Sequence, residues 1–149
     1  MNQIDIKILT DKKNIEDWIP FRAHDYDAGG DLMSAEYAVI YSQTGQLIGT
    51  GIAVDIPEGY VGLVFSRSGM AKRNLRLSNC VGVIDHGYQG EIKVWIYNDG
   101  NEWTSEIINI GDRIAQLVIV PIITPHFRIV DEFKKESVRG DRGFGSTGS

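Results

Sequence analysis

The chain has 149 residues, a length that corresponds to one domain with enough core to fold without disulfides or metals. Hydrophobic residues make up 42% and charged residues 23% of it, which is typical of a globular protein and argues against disorder. The formal net charge is −5, so we expect no broad basic surface and no nucleic-acid partner.

The compartment is indicated by features that the sequence lacks. A single cysteine, Cys80, cannot form an internal disulfide and fits a reducing compartment. The N-terminus has an early acid, Asp5, and no apolar segment of the kind found in secretory signals. The longest apolar run, 117–123, is far shorter than the roughly 20 residues that span a bilayer. We therefore expect a cytoplasmic protein with no membrane partner.

Short apolar segments alternate with glycine and polar turns along the chain, a pattern that predicts an all-β sandwich, jelly roll or barrel. The clearest strand, 91–98, places Ile92, Val94 and Ile96 on one face. The sequence Asn98-Asp-Gly-Asn101 that follows predicts a hairpin turn. The other predicted strands are 4–9, 38–41, 47–56, 60–65, 81–84, 104–110, 113–121 and 127–130, and the best short helix is 69–74.

The last segment, 137–149, differs from the main domain, 1–136, because it has four glycines and one aromatic residue. Such a segment cannot offset its ordering entropy by burial, so alone it is expected to be a flexible arm. It nevertheless carries Arg139, Arg142, Ser146 and Thr147, whose side chains suit phosphate oxygens. Both interpretations, a disordered end and a phosphate-binding arm, stay open on composition.

Two apparent motifs fail on their context. The sequence Gly143-Phe-Gly-Ser-Thr-Gly148 matches a dinucleotide fingerprint, but no helix can follow it because one residue remains. Residues 25–36 resemble a calcium loop, but its fifth position is Gly29, and Pro20 and a β-like segment stand where helices are required. The three histidines are far apart in the sequence. We expect no metal bound directly by protein side chains.

Five polar or glycine-rich segments remain, and some of their residues suggest chemistry. Arg67 offers a planar fork for phosphate at the start of the short helix. Asp85, at the end of an apolar run, is either a turn residue or a carboxylate that activates water. Gln116, within an apolar run, is placed for a structural hydrogen bond or a phosphate contact. The segments are 27–32, 66–70, 79–92, 111–117 and 139–148.

Together and in this order, the five segments resemble the motifs of the trimeric dUTP pyrophosphatase (dUTPase) family, from residue 27 to residue 148. The most specific match is Gly82-Val-Ile-Asp-His-Gly-Tyr-Gln-Gly-Glu91, followed by the glycine-rich end of the chain. The resemblance implies a distorted jelly roll of short strands with one short helix, assembled as a homotrimer with shared active sites. It also implies that the arm closes over the site. The stretch 69–79 departs from the family pattern by about one residue, and Arg142 stands where a glycine is usual.

The resemblance implies hydrolysis of dUTP to dUMP and pyrophosphate, which limits uracil in DNA and supplies dUMP for thymidylate synthesis. Asp85 would activate the water that attacks the α-phosphorus, Tyr88 would exclude a 2′-hydroxyl, and Asp31 would support Arg67. Mg²⁺ would bind through the triphosphate and waters. The other residues implied to bind substrate are Asn79, Gly82, Val83 and Ile84 for uracil, Arg67, Ser68, Gly69 and Gln116 for the phosphates, Lys93, and Arg139, Phe144, Gly145, Ser146 and Thr147 of the arm.

Two alternatives stay open. A dCTP deaminase of the same fold would need a glutamate that activates water at C4 of the base, whereas here Asp85 occupies the water-activating place and Glu91 lies beyond Tyr88. A phage-type regulatory protein would bind a repressor as its partner.

Overall fold

The computed structural model describes residues 3–11, 14–101, 103–134, 137 and 140. Within these ranges, no helix has the length and apolar character needed to cross a membrane. The described part of the chain forms a 3-10 helix at Ile15–Trp18, one α-helix, α1, at Ser68–Ala71, and eleven strands. The strands are β1 Ile6–Ile8, β2 Gly29–Met33, β3 Ala38–Tyr41, β4 Gly45–Gly49, β5 Ile52–Val54, β6 Tyr60–Phe65, β7 Leu75–Leu77, β8 Val81–Ile84, β9 Lys93–Asn98, β10 Ser105–Ile108 and β11 Arg113–Pro121.

The strands form four antiparallel sheets in an all-β, distorted jelly roll. The largest sheet has the strand order β2-β11-β6-β8, and the next has the order β4-β9-β7. Two smaller sheets pair β1 with β5 and β3 with β10. One hydrophobic core joins both larger sheets, because it takes Leu32 and Leu117 from the first and Ile48 and Ile96 from the second. In the strand order of the larger sheet, β8 is last and so lies at its edge.

The predicted alternation of β9 is confirmed. Ile92, Val94 and Ile96 are 1%, 4% and 0% exposed, whereas Trp95, on the opposite face, is 51% exposed. Four predicted strands match at both ends, namely β3, β6, β8 and β11. The period of two thus identified the buried face of this segment correctly.

The predicted single strand 47–56 is wrong, because the chain turns a corner between β4 and β5. The N–H of Gly49 donates to Oε1 of Glu36 at 2.6 Å, and the N–H of Gly51 donates to Oε1 of Glu91 at 2.9 Å. Gly51 has φ +72°, a conformation that L side chains rarely adopt. Carboxylates distant in sequence thus replace strand partners at the corner.

The hairpin predicted at 98–101 is also wrong, since β9 pairs with β4 and β7 whereas β10 pairs with β3. The Nδ2 of buried Asn98 donates to the carbonyl of Ile40 at 3.0 Å, and its Oδ1 accepts the N–H of Gly100 at 2.8 Å. The turn therefore passes the chain from one sheet to another. The predicted strand 127–130 is not a strand, β2 and β7 were missed, and the helix predicted at 69–74 is α1, at Ser68–Ala71.

We predict that Ile96→Ala lowers the free energy of unfolding by about 2–5 kcal/mol, because it opens a cavity at the centre of the core. The matched control is Ile15→Ala, which removes the same atoms from a residue that is 60% exposed. Denaturant unfolding of both variants measures the difference. Equal losses would contradict the position of the core.

Candidate active site

A shallow cleft of about 330 Å³ contains the residue predicted to activate water. Val83 is 60% exposed and Tyr88 is 45% exposed, so apolar surface is available beside the carboxylate of Asp85. Such an apolar wall next to charged groups suits a flat, partly apolar ligand. The cleft gathers five residues predicted for the site and three others, namely Val83, Ile84, Asp85, Tyr88 and Lys93, and Leu47, Glu91 and Ile92.

The loop after β8 fixes the orientation of Tyr88. The N–H of Tyr88 donates to the carbonyl of Asp85 at 3.2 Å, and Gly87 between them has φ +84°. The hydroxyl of Tyr88 donates to the carbonyl of Glu91 at 2.9 Å. A Cβ on Gly90 would lie 2.6 Å from that hydroxyl oxygen, so the ring rests where a larger residue could not be accommodated.

The carboxylate of Glu91 is engaged through both oxygens. Oε1 accepts the N–H of Gly51 at 2.9 Å, and Oε2 lies 3.4 Å from Nζ of Lys93. The Lys93 side chain is half exposed and lines the cleft. These two contacts give Glu91 a structural role in the cleft, which differs from the role of activating water.

The residues predicted to hold uracil lie along the open edge of β8. A Cβ on Gly82 would lie 3.8 Å from Nδ2 of Asn79, so this amide reaches over the strand. The carbonyl of Asn79 accepts the N–H of Val81 at 2.6 Å. In the described sheet order nothing pairs with the outer side of β8, and its free peptide groups can match the donors and acceptors of a base.

A second group of predicted residues surrounds Asp31, whose side chain is 17% exposed. Its Oδ1 accepts from Nε of Arg67 at 2.6 Å, and its Oδ2 lies 3.5 Å from Nη1 of Arg113. The Nη1 of Arg67 donates to the carbonyl of Arg113 at 3.0 Å. The guanidinium of Arg113 also stacks over Phe21 at 3.9 Å. Arg67 is thus held from two sides, and its remaining donors suit an anion.

The amide of Gln116 lies beside this group. Its Nε2 donates to the carbonyl of Ser66 at 3.1 Å, which is the structural hydrogen bond that the sequence left open. Its Oε1 lies over Gly29, where a Cβ would approach it to 2.5 Å. Ser68 and Gly69 form the exposed first turn of α1, where backbone N–H groups precede the bonds of the helix. A phosphate contact by Gln116 stays a prediction.

The strand register separates the two groups within one chain. Ile84 pairs with Gly62, and Val81 pairs with Phe65, so Asp85 follows one end of this ladder while Arg67 follows the other. Six residues of strand separate the level of Asp85 from that of Arg67, which corresponds to about 20 Å. The described structure therefore brings Asp31, Arg67 and Gln116 together and Asp85, Tyr88 and Lys93 together, but not the two groups with one another.

Sequence reasoning did not single out Arg113, the second cation on Asp31. A signal existed, because an acid in the glycine-rich stretch Gly29–Met33 requires a cationic partner once its side chain is largely buried. The predicted arm residues Arg139, Phe144, Gly145, Ser146 and Thr147 lie outside the described residues, so their roles stay predictions.

Three comparisons with known proteins point to one family. The dUTPase family model matches residues 16–148. The deoxyuridine 5′-triphosphate nucleotidohydrolase of Tropheryma whipplei strain Twist is 46% identical over 88% of this chain and 89% of its own. That of Corynebacterium glutamicum is 46% identical over 96% and 94%. The solved dUTPase of Staphylococcus bacteriophage 80alpha with bound dUpNHpp has a TM-score of 0.90 and 38% identity, with each chain fully covered.

A family match over most of the chain, relatives above 40% identity and the same fold in a solved enzyme all identify one class of protein. The chain therefore belongs to the dUTPase family, the enzymes that hydrolyse deoxyuridine triphosphate.

Proposed function

We propose that this chain hydrolyses dUTP to dUMP and pyrophosphate, with Asp85 as the general base that activates the attacking water. One observation carries the assignment. Within the described residues, no hydrogen bond or ion pair engages the Asp85 carboxylate, although it lines the cleft, so its oxygens can accept a proton from water. Glu91 has both oxygens engaged, which disfavours the deaminase alternative.

The residues around Arg67 stabilise the negative charge that develops on the phosphates during attack. Water adds to the α-phosphorus opposite the bridging oxygen, the bond to the β-phosphate breaks, and pyrophosphate leaves. Arg67 is held rigidly by Asp31 and the carbonyl of Arg113, so it faces the phosphates without reorganisation. Ser68, Gly69 and Gln116 supply further donors next to it.

Mg²⁺ fits this site as an ion carried by the nucleotide. Among the described residues, no group of three acidic, histidine or cysteine side chains could hold a metal ion, and Mg²⁺ usually binds through phosphates, waters and one or two carboxylates. Asp31, beside Arg67, and Asp85, in the cleft, are the carboxylates that would be available to its waters. When bound, the ion neutralises phosphate charge. A similar dUTPase from phage phi11, with a TM-score of 0.79 and 35% identity, is described with a structural Mg(II) ion.

A homotrimer with shared sites explains why Asp85 and Arg67 lie at opposite ends of one ladder. Asp85 of one chain and Arg67 of another would meet across an interface, which the register within one chain prevents. The segment after β11 supports association, because Phe127 and Ile129 are 98% and 99% exposed. The arm, 137–149, would complete the site with the phosphate and stacking contacts of Arg139, Phe144, Ser146 and Thr147.

A second candidate function, regulatory binding of a repressor protein, is favoured by one comparison. The phage 80alpha dUTPase, to which this fold is similar, is described as controlling the transfer of virulence genes. Copurification with a candidate repressor, with and without a non-hydrolysable dUTP analogue, tests this function. A repressor captured equally well by an unrelated protein of the same charge would contradict it.

We predict that Asp85→Asn lowers kcat by about 10²–10⁴-fold, because the amide keeps the shape of the side chain but cannot accept a proton. Binding of a non-hydrolysable dUTP analogue should stay close to that of the wild type. Pyrophosphate release and isothermal titration measure the two effects. Retention of more than half the turnover would show that another group is the base.

We predict that two inactive variants, Asp85→Asn and Arg67→Ala, recover activity when they are unfolded and refolded together. If each site takes these residues from different chains, about one quarter of the sites in a random mixture contain both intact residues. Light scattering should show a particle near three times the 16.6 kDa chain mass.

The control for this experiment mixes Asp85→Asn with Asp85→Ala, which share the same defect and should stay inactive. If the Asp85→Asn and Arg67→Ala mixture also stays inactive while assembling normally, both residues act within one chain and the shared site is wrong.

We predict that Gly90→Ala weakens the preference for dUTP over UTP by about 10-fold or more in kcat/KM, since the loss of one close contact is worth roughly that much. The new methyl would displace the Tyr88 ring, whose hydroxyl lies 2.6 Å from the position of a Cβ. Gln89→Ala, an exposed neighbour in the same loop, is the control. If the ratio of kcat/KM for dUTP to that for UTP were unchanged in both variants, Tyr88 would not select the sugar.

A further inference from the structure

We propose that His86 is a positioning residue, which holds the turn that carries Asp85 against the core. This proposal rests on the proposed function. The Nδ1 of His86 lies 2.7 Å from the carbonyl oxygen of Ile56, thirty residues away in the sequence. A carbonyl can only accept, so Nδ1 carries the proton and donates it, and the neutral ring has Nε2 free of hydrogen.

The turn needs an anchor because it begins where the sheet ends. Ile84 is the last residue of β8 to pair with β6, and Asp85 follows it directly. The bond from the N–H of Tyr88 to the carbonyl of Asp85 closes the turn upon itself. This local bond fixes the shape of the turn but not its direction relative to the sheet.

The bond from His86 supplies that direction. Among the described residues, this is the only hydrogen bond between the loop 85–90 and a segment outside the Gly82–Glu91 motif. Its acceptor belongs to Ile56, whose side chain is 0% exposed and would lie within 3.1 Å of a Cβ on Gly62 of β6. The imidazole therefore ties the turn to a rigid part of the fold.

Asp85 is the group most sensitive to this tie. A general base must stay within hydrogen-bond reach of its water, and a displacement of about 1 Å can cost 10²-fold in rate. Tyr88 has a separate anchor, because its hydroxyl donates to the carbonyl of Glu91 and its ring rests on Gly90. We therefore expect loss of the His86 bond to lower kcat while KM and the preference for dUTP over UTP change little.

The amide side chains provide a matched pair of substitutions. The Nδ2 of an asparagine occupies the position of the imidazole Nδ1, whereas the Nε2 of a glutamine occupies that of the imidazole Nε2. We expect His86→Ala and His86→Gln to lower kcat by about 10–100-fold and His86→Asn to stay within about threefold of the wild type. The melting temperature should stay within a few degrees in all three variants, since His86 is exposed.

A double-variant cycle separates this proposal from the assignment of Asp85. If His86 acts through Asp85, His86→Ala added to Asp85→Asn causes no further loss of kcat. A further loss in the double variant would overturn the proposal, as would equal kcat in the Ala, Gln and wild-type proteins. So would a His86→Asn variant as slow as His86→Gln. A wrong assignment of the base would give a different result, since Asp85→Asn alone would then keep its turnover.

Discussion

The antiparallel ladder between β6 and β8 governs the arrangement of this enzyme. Its four residue pairs hold β8 at the edge of the larger sheet and place Asp85 beyond one end. Arg67 follows the other end of the same ladder. Because a strand cannot slip by one residue without reversing its buried face, this separation is rigid. Within one chain, the ladder therefore keeps Asp85 and Arg67 apart.

Charge is organised locally on a chain whose net charge is −5. Asp31 neutralises part of the charge of Arg67 and Arg113, so the two guanidinium groups can approach each other. Without this carboxylate, the like charges would separate and the site would have to reorganise on binding. Asp31, Arg67 and Arg113 together carry one net positive charge on a chain whose net charge is negative.

The sequence alone predicted those elements whose patterns are local. The alternation in β9 predicted its buried face, and the motif around Asp85 identified most of the residues that line the cleft. It missed β2, since two glycines and Asp31 in five residues resemble a turn, and the sheet partners that stabilise this strand are distant. It joined β4 and β5 for the same reason, because the carboxylates of Glu36 and Glu91 that form the corner come from elsewhere.

The spacing within Gly82–Glu91 has a physical explanation that makes it more diagnostic than its length suggests. Tyr88 needs a residue without a side chain at Gly90 and a carbonyl acceptor at Glu91. Glu91 in turn needs its carboxylate to reach Gly51 at the corner between β4 and β5. Each position is therefore constrained by the preceding one. A single insertion would break both the hydrogen bond of the Tyr88 hydroxyl and the bond between Glu91 and Gly51. The loop that carries Tyr88 is thereby coupled to the core through Glu91, whose two carboxylate oxygens contact Gly51 and Lys93.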